Sequence, residues 1–137
     1  MKKYLILLAI VSLPAWIQLN AQDVAKAQPP KVEVYYFHGT MRCPTCLAVE
    51  DQTRKTLDEN FAEEMKSGTV KLQVLNLEEK ENKALTEKFE IGWSSLILFV
   101  PESGKSVNLT EDAFANARAH PDDFRLELEK KIKELLY

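Results

Sequence analysis

Beyond the N-terminal segment, two runs of the chain stand out as apolar without interruption: Val34-Tyr35-Tyr36-Phe37 and Leu96-Ile97-Leu98-Phe99-Val100. Runs of this length, rich in β-branched and aromatic residues, predict strands buried on both faces, over Val32 to Phe37 and Ser95 to Val100. A third strand is expected from Val70 to Leu77, where Val70, Leu72 and Val74 alternate onto one face. Between the first and third of these runs the period changes. From Pro44 onward Cys46, Val49, Thr53, Leu57, Phe61 and Met65 recur every three or four residues, the apolar stripe of one long helix. Ser67-Gly68 supplies its stop.

The rest of the chain is read in the same way. Asn82 to Phe89 is expected to form a short helix with Ala84, Leu85 and Phe89 on its apolar side. Glu102-Ser103-Gly104-Lys105 can turn the Ser95–Val100 strand into a hairpin with Ser106 to Leu109. No period decides the state of Thr110 to Ala119. Pro121 opens a last helix, with Asp122 and Asp123 in its first turn, Lys130, Lys131 and Lys133 near its end, and Phe124, Leu128, Ile132 and Leu135 as its buried stripe.

The order is β-α-β-α-β-β-α, which defines an α/β class. A strand–helix–strand start requires a right-handed crossover and parallel pairing, whereas the tight later turn requires an antiparallel pair. The expectation is a central mixed four-stranded sheet flanked by helices. No internal repeat or low-complexity segment competes with it.

The N-terminus bears on location. Lys2 and Lys3 precede an almost wholly apolar Tyr4–Leu19, and Asn20-Ala21 offers a small residue before the polar Gln22-Asp23. This is the layout of a secretory signal peptide over residues 1–21, and it points to a periplasmic or secreted protein. Pro14 interrupts the run, which is shorter than the roughly 18 to 20 residues that span a bilayer, so membrane contact is expected only if this segment stays uncleaved. Residues 22–31, with Pro29-Pro30, read as a flexible lead-in, and residues 32–137 as one domain. The formal charge of −3 becomes more negative without Lys2 and Lys3, and no basic stripe or glycine-rich phosphate loop is present. Nucleic acid is not an expected partner.

The chain has two cysteines, Cys43 and Cys46. They are too few for a disulfide framework and too close together for a bridge to restrict the unfolded chain much, so a chemical role is favoured over a structural one. Pro44 suits the first helical position, which puts Cys43 at a helix N-terminus and Cys46 nearly one turn in. Unpaired N–H groups and the helix dipole favour the Cys43 thiolate, and Arg42 adds a positive charge beside it. Cys43 is therefore the expected nucleophile and Cys46 the resolving thiol.

The stretch from Val34-Tyr35-Tyr36-Phe37 through Cys43-Pro44-Thr45-Cys46 resembles the active-site strand and motif of the thioredoxin superfamily. Pro44 directly after the nucleophile is similar to the glutaredoxin and periplasmic disulfide-oxidoreductase variants. Phe89-Glu90-Ile91 through Ser94-Ser95-Leu96-Ile97-Leu98-Phe99 resembles the family segment that leaves a helix, passes a cis-proline and enters the central strand. The resemblance implies a thioredoxin-like fold and disulfide exchange with protein thiols or disulfides, a separate recycling partner, and no bound organic cofactor. Three positions depart from the pattern. Ser94 stands at the cis-proline position, Arg42 replaces the aromatic residue before the nucleophile, and the buried acid of the first strand falls near Tyr35 or Tyr36. His38 is the candidate substitute for that acid in proton transfer, although a loop histidine is more often simply solvated.

Other readings compete. Met41-Arg42-Cys43-Pro44-Thr45-Cys46 also matches the Met-x-Cys-x-x-Cys pattern of small copper chaperones, and soft sulfur ligands from Met41, Cys43 and Cys46 would select copper(I). The long helix after the motif and Pro44 weigh against it. A structural zinc site would need His38 and His120 as well as both cysteines, and His120 before Pro121 has the simpler reading of a helix-start residue. A redox-inert interaction domain that keeps the fold is the third class. Trp93, next to Ser94, is a candidate for lining a substrate groove, with core packing as its simpler role. Glu78 to Lys83 reads as a solvated charged face.

Overall fold

A computed structural model describes residues 29–137. The signal-peptide reading and most of the lead-in lie outside the described residues. Among these residues no helix is long and apolar enough to cross a membrane.

The two continuous apolar runs form the centre of the sheet. Strand β1 (Val32–His38) pairs in parallel with β2 (Val70–Asn76) on one side and antiparallel with β3 (Ser95–Val100) on the other. Strand β4 (Lys105–Asn108) adds antiparallel to β3, giving the order β2-β1-β3-β4. Central position requires both faces to be covered, which is why β1 and β3 lack the polar alternation of an edge strand. The mixed α/β architecture is the one expected and is consistent with a thioredoxin-like fold.

Helix α1 (Pro44–Asn60) follows β1 and packs on one face of the sheet with α5 (Pro121–Leu136). Val32, Val34, Tyr36, Leu96 and Leu98 of the strands meet Val49 and Leu57 of α1 and Phe124, Leu128 and Ile132 of α5 in one buried cluster. The opposite face is smaller. Tyr35, Phe37, Ile97 and Phe99 are covered by Leu85 of the short helix α3 (Lys83–Lys88), by Phe89 and Ile91 after it, and by Leu75.

Three expectations need correction. The helix from Pro44 does not run unbroken to Ser67. It ends at Asn60, and α2 (Ala62–Ser67) begins after Phe61, whose φ of −135° leaves the helical region. Phe61 itself stays in the core, at 1% exposure, while the bend redirects the chain so that α2 packs on β2. Gly68 then ends α2 in the left-handed conformation that glycine adopts without a Cβ penalty. The second correction adds an element. Thr110–Asn116 forms helix α4, burying Thr110 and Ala113, so the order gains a helix between β4 and α5. Ala84 is exposed, so only Leu85 of α3 and the following Phe89 serve the apolar side.

Candidate functional site

The site is built on the first turn of α1. Cys43 is the N-cap, with extended backbone, and Pro44 occupies the first helical position, where it removes an N–H that would have had no partner. The Cys43 sulfur takes the place usually filled by a serine or aspartate oxygen. It accepts a hydrogen bond from the Cys46 backbone N–H at 3.0 Å. The Cys43 carbonyl accepts the Leu47 N–H at 3.0 Å, starting the helical ladder.

Cys43 and Cys46 are joined as a disulfide, with their α-carbons 5.0 Å apart. Their surroundings differ. Cys43 is exposed, whereas Cys46 is 7% exposed and faces the core side of the helix. An incoming sulfur therefore reaches Cys43 first. No acidic side chain lies in the first turn of α1 to oppose a thiolate there.

Arg42 does not present the unpaired charge expected from the sequence. Its Nη2 lies 2.6 Å from Oε2 of Glu50, a close charge contact rather than a well-directed hydrogen bond, and the Arg42 Nε is buried without a hydrogen-bond partner. Arg54 takes the other Glu50 oxygen, with Nε and Nη2 each 2.8 Å from Oε1. Burial alone would push the Glu50 carboxyl up, but the close contacts and charges of the Arg42 and Arg54 guanidinium groups outweigh it and hold the group below the usual carboxylate range. Burial likewise works against the Arg42 charge, and Glu50 and Tyr36 more than restore it, raising its pKa.

Tyr36 points toward α1, whereas Tyr35 points to the other face of the sheet. Tyr36 is fully buried and donates its hydroxyl to the Cys46 carbonyl at 2.7 Å, tying the strand to the turn that carries Cys46. Its ring lies 5.8 Å from the Arg42 guanidinium carbon, within cation–π range. Burial, and secondarily the Glu50 charge, outweigh Arg42 and raise the phenol's pKa. Tyr36 is therefore a neutral donor across the physiological range.

The loop before Cys43 is held from the other side by Glu78. Its carboxylate accepts the Thr40 N–H at 3.1 Å and the Thr40 hydroxyl at 2.8 Å. Asn76 donates to the Thr40 hydroxyl oxygen at 3.0 Å and receives the Glu78 N–H, also at 3.0 Å. A side chain at Gly39 would crowd this contact, with its Cβ 3.2 Å from the Glu78 Oε1. Glu78 thus has a specific partner and is more than part of a solvated face. Neither Glu50 nor Glu78 was singled out by the sequence. The only available signal for Glu50 was its i, i+4 spacing from Cys46, and Glu78 had none.

The remaining expected residues are placed as follows. His38 ends β1, half-buried, with Nδ1 2.9 Å from the Gly39 carbonyl oxygen and its ring 6.1 Å from that of Tyr36. Ser95 pairs with Phe37, so Ser94 and Trp93 lie at the sheet end where β1 hands over to the Cys43 loop. No peptide bond among the described residues is cis. Trp93 is 63% exposed, leans on Phe114 of α4, and lines a pocket with Asn108, Thr110 and Glu111. Met41 is 91% exposed and Leu47 51%, so apolar surface flanks the motif on both sides. Thr45 is half-buried within the turn. His120 precedes Pro121 as the cap residue of α5. No group of three or more His, Cys, Asp or Glu suited to a metal ion occurs among the described residues.

No protein-family profile matches the chain, and no curated protein matches it either. Among solved structures it is similar to one described as "Structure of a malarial protein", at 17% identity over 74% of this chain and 96% of that one, with a TM-score of 0.47. That likeness is too distant to carry an argument about function.

Proposed function

We propose that this protein is an exported thiol–disulfide oxidoreductase that exchanges disulfides with protein partners through Cys43 and Cys46. One observation carries the reading: the two cysteines form a disulfide at a helix N-terminus, with one residue exposed and the other buried. A bridge closing so small a loop adds little to stability, whereas this asymmetry suits two-step exchange.

In the reducing direction the Cys43 thiolate attacks a partner disulfide. A mixed disulfide forms, and one partner sulfur leaves as a thiolate. Cys46 then loses its proton to solvent and attacks the Cys43 sulfur. The mixed disulfide breaks, the Cys43–Cys46 bond forms, and the second partner sulfur leaves. Two electrons pass to the partner, and a second dithiol must reduce the protein again. The oxidising direction is the reverse. The Cys46 N–H that caps onto the Cys43 sulfur becomes a charge-assisted bond when that sulfur is a thiolate, so it favours Cys43 as both nucleophile and leaving group. No bound organic cofactor is required.

The test is reduction or oxidation of a protein disulfide by purified protein. Cys43→Ser is expected to abolish the activity, and Cys46→Ser to accumulate a mixed disulfide through Cys43. Full activity in Cys43→Ser, or none in the wild type, overturns the reading and leaves the copper(I)-binding and interaction-domain alternatives.

A further inference from the structure

Arg42 and Glu50 bracket the motif. Arg42 directly precedes Cys43, and Glu50 lies one helical turn beyond Cys46, so their 2.6 Å contact joins the loop before the motif to the helix after it. Around this contact are the Tyr36 ring beneath the guanidinium, Arg54 on the second Glu50 oxygen, and His38 beside Tyr36. One negative charge thus sits between two positive ones, on the helix that carries the disulfide in its first turn.

A carboxylate at this position has two conceivable uses: accepting the Cys46 proton, or balancing the charge of Arg42. The geometry separates them. Both oxygens of Glu50 already face guanidinium groups, which hold the carboxyl ionised well below neutrality and make it a poor base there. We infer that Glu50 is a positioning residue that offsets the Arg42 charge and so makes Cys43 less acidic, and the disulfide less oxidising, than the helix N-terminus and Arg42 alone would. The inference rests on the redox reading only for its consequence; the effect on Cys43 acidity stands apart from any partner.

The experiment measures the pH dependence of Cys43 alkylation by iodoacetamide in the reduced protein, and the equilibrium of the Cys43–Cys46 bridge with glutathione. Glu50→Gln leaves Arg42 uncompensated. It should lower the alkylation midpoint by about half to one pH unit and shift the glutathione equilibrium roughly three- to tenfold in the oxidising direction. Arg42→Gln should shift both the opposite way, and the double variant R42Q/E50Q should return close to wild type, which a merely structural role would not produce. Glu50→Asp, which keeps the charge, should stay near wild type. An unchanged or raised midpoint in Glu50→Gln overturns the inference. Should Glu50→Gln fail to fold, Arg42→Gln decides alone, and a midpoint that does not rise overturns it. A wild type that never equilibrates with glutathione removes the redox reading, while the alkylation midpoints still decide the role of Glu50.

Discussion

The two faces of the sheet are held in different ways. On the α1/α5 face a continuous apolar cluster fixes the helix whose first turn carries the cysteines. On the α3 face only Tyr35, Phe37, Ile97 and Phe99 are buried, and a six-residue helix with Phe89 covers them. Aromatic contacts compensate for the thin cover: Phe89 lies 5.1 Å from Tyr35 and 5.3 Å from Phe99, and the Lys88 ammonium sits 3.7 Å over the Phe99 ring. The loop leading into this thinner layer also contributes Glu78, which holds the turn before Cys43. The thick face thus positions the Cys43–Cys46 disulfide, and the thin face restrains the loop that leads into it.

The largest effect should come from opening the thick face. Leu128 is fully buried between α5 and the sheet, so Leu128→Ala should cost about 3 to 4 kcal/mol in chemical denaturation, through lost transfer energy plus the cavity left behind. Equal destabilisation from the half-buried Phe89→Ala would erase the contrast. That variant should cost about 1 to 2 kcal/mol, and hydrogen exchange should quicken in α3 well before it does in β1.

This contrast also explains what could be read from the chain alone. The central strands were legible because β1 and β3 are buried on both faces and carry uninterrupted apolar runs. The stripe through Leu57, Phe61 and Met65 continues across the break at Phe61, because spacing reports burial and not backbone continuity; the Met65 N–H still reaches the Phe61 carbonyl at 2.8 Å. Helix α4 escaped because its buried positions, Thr110 and Ala113, are too small or too polar to stand out as an apolar stripe. At the site, Cys43, Pro44 and Cys46 were visible as a motif with a local capping role. Glu78 was not, since its partner Thr40 is 38 residues away, and the charge on Arg42 was read without Glu50 to balance it.

A smaller effect is expected where the thick face meets the motif. Tyr36→Phe removes the hydroxyl that donates to the Cys46 carbonyl and leaves the ring packing intact. The cost should be about 1 kcal/mol, the net worth of one buried hydrogen bond. Amide exchange should quicken in the first turn of α1 and not in α5. A uniform change across both helices would mean that the hydroxyl serves the whole face and not the cysteine turn.

The smallest change in stability, and the most local, belongs to Glu78. It is exposed, so Glu78→Ala should leave the denaturation midpoint nearly unchanged. Its effect should appear at the Thr40 amide, whose exchange should quicken severalfold once the carboxylate acceptor is gone. Acid provides the same test without a mutation. The Thr40 hydroxyl and then its N–H hold the Glu78 carboxyl below the usual carboxylate range. A depressed folded-state value means that the tie is fully present above the ordinary carboxylate pKa and is lost as the pH falls through the lower, folded value. Thr40 protection in the wild type should therefore converge on that of Glu78→Ala in acid and exceed it at neutral pH. If the two proteins protect Thr40 equally at neutral pH, the thin face does not restrain the loop, and the order before Cys43 must come from the Arg42–Glu50 contact on the thick side.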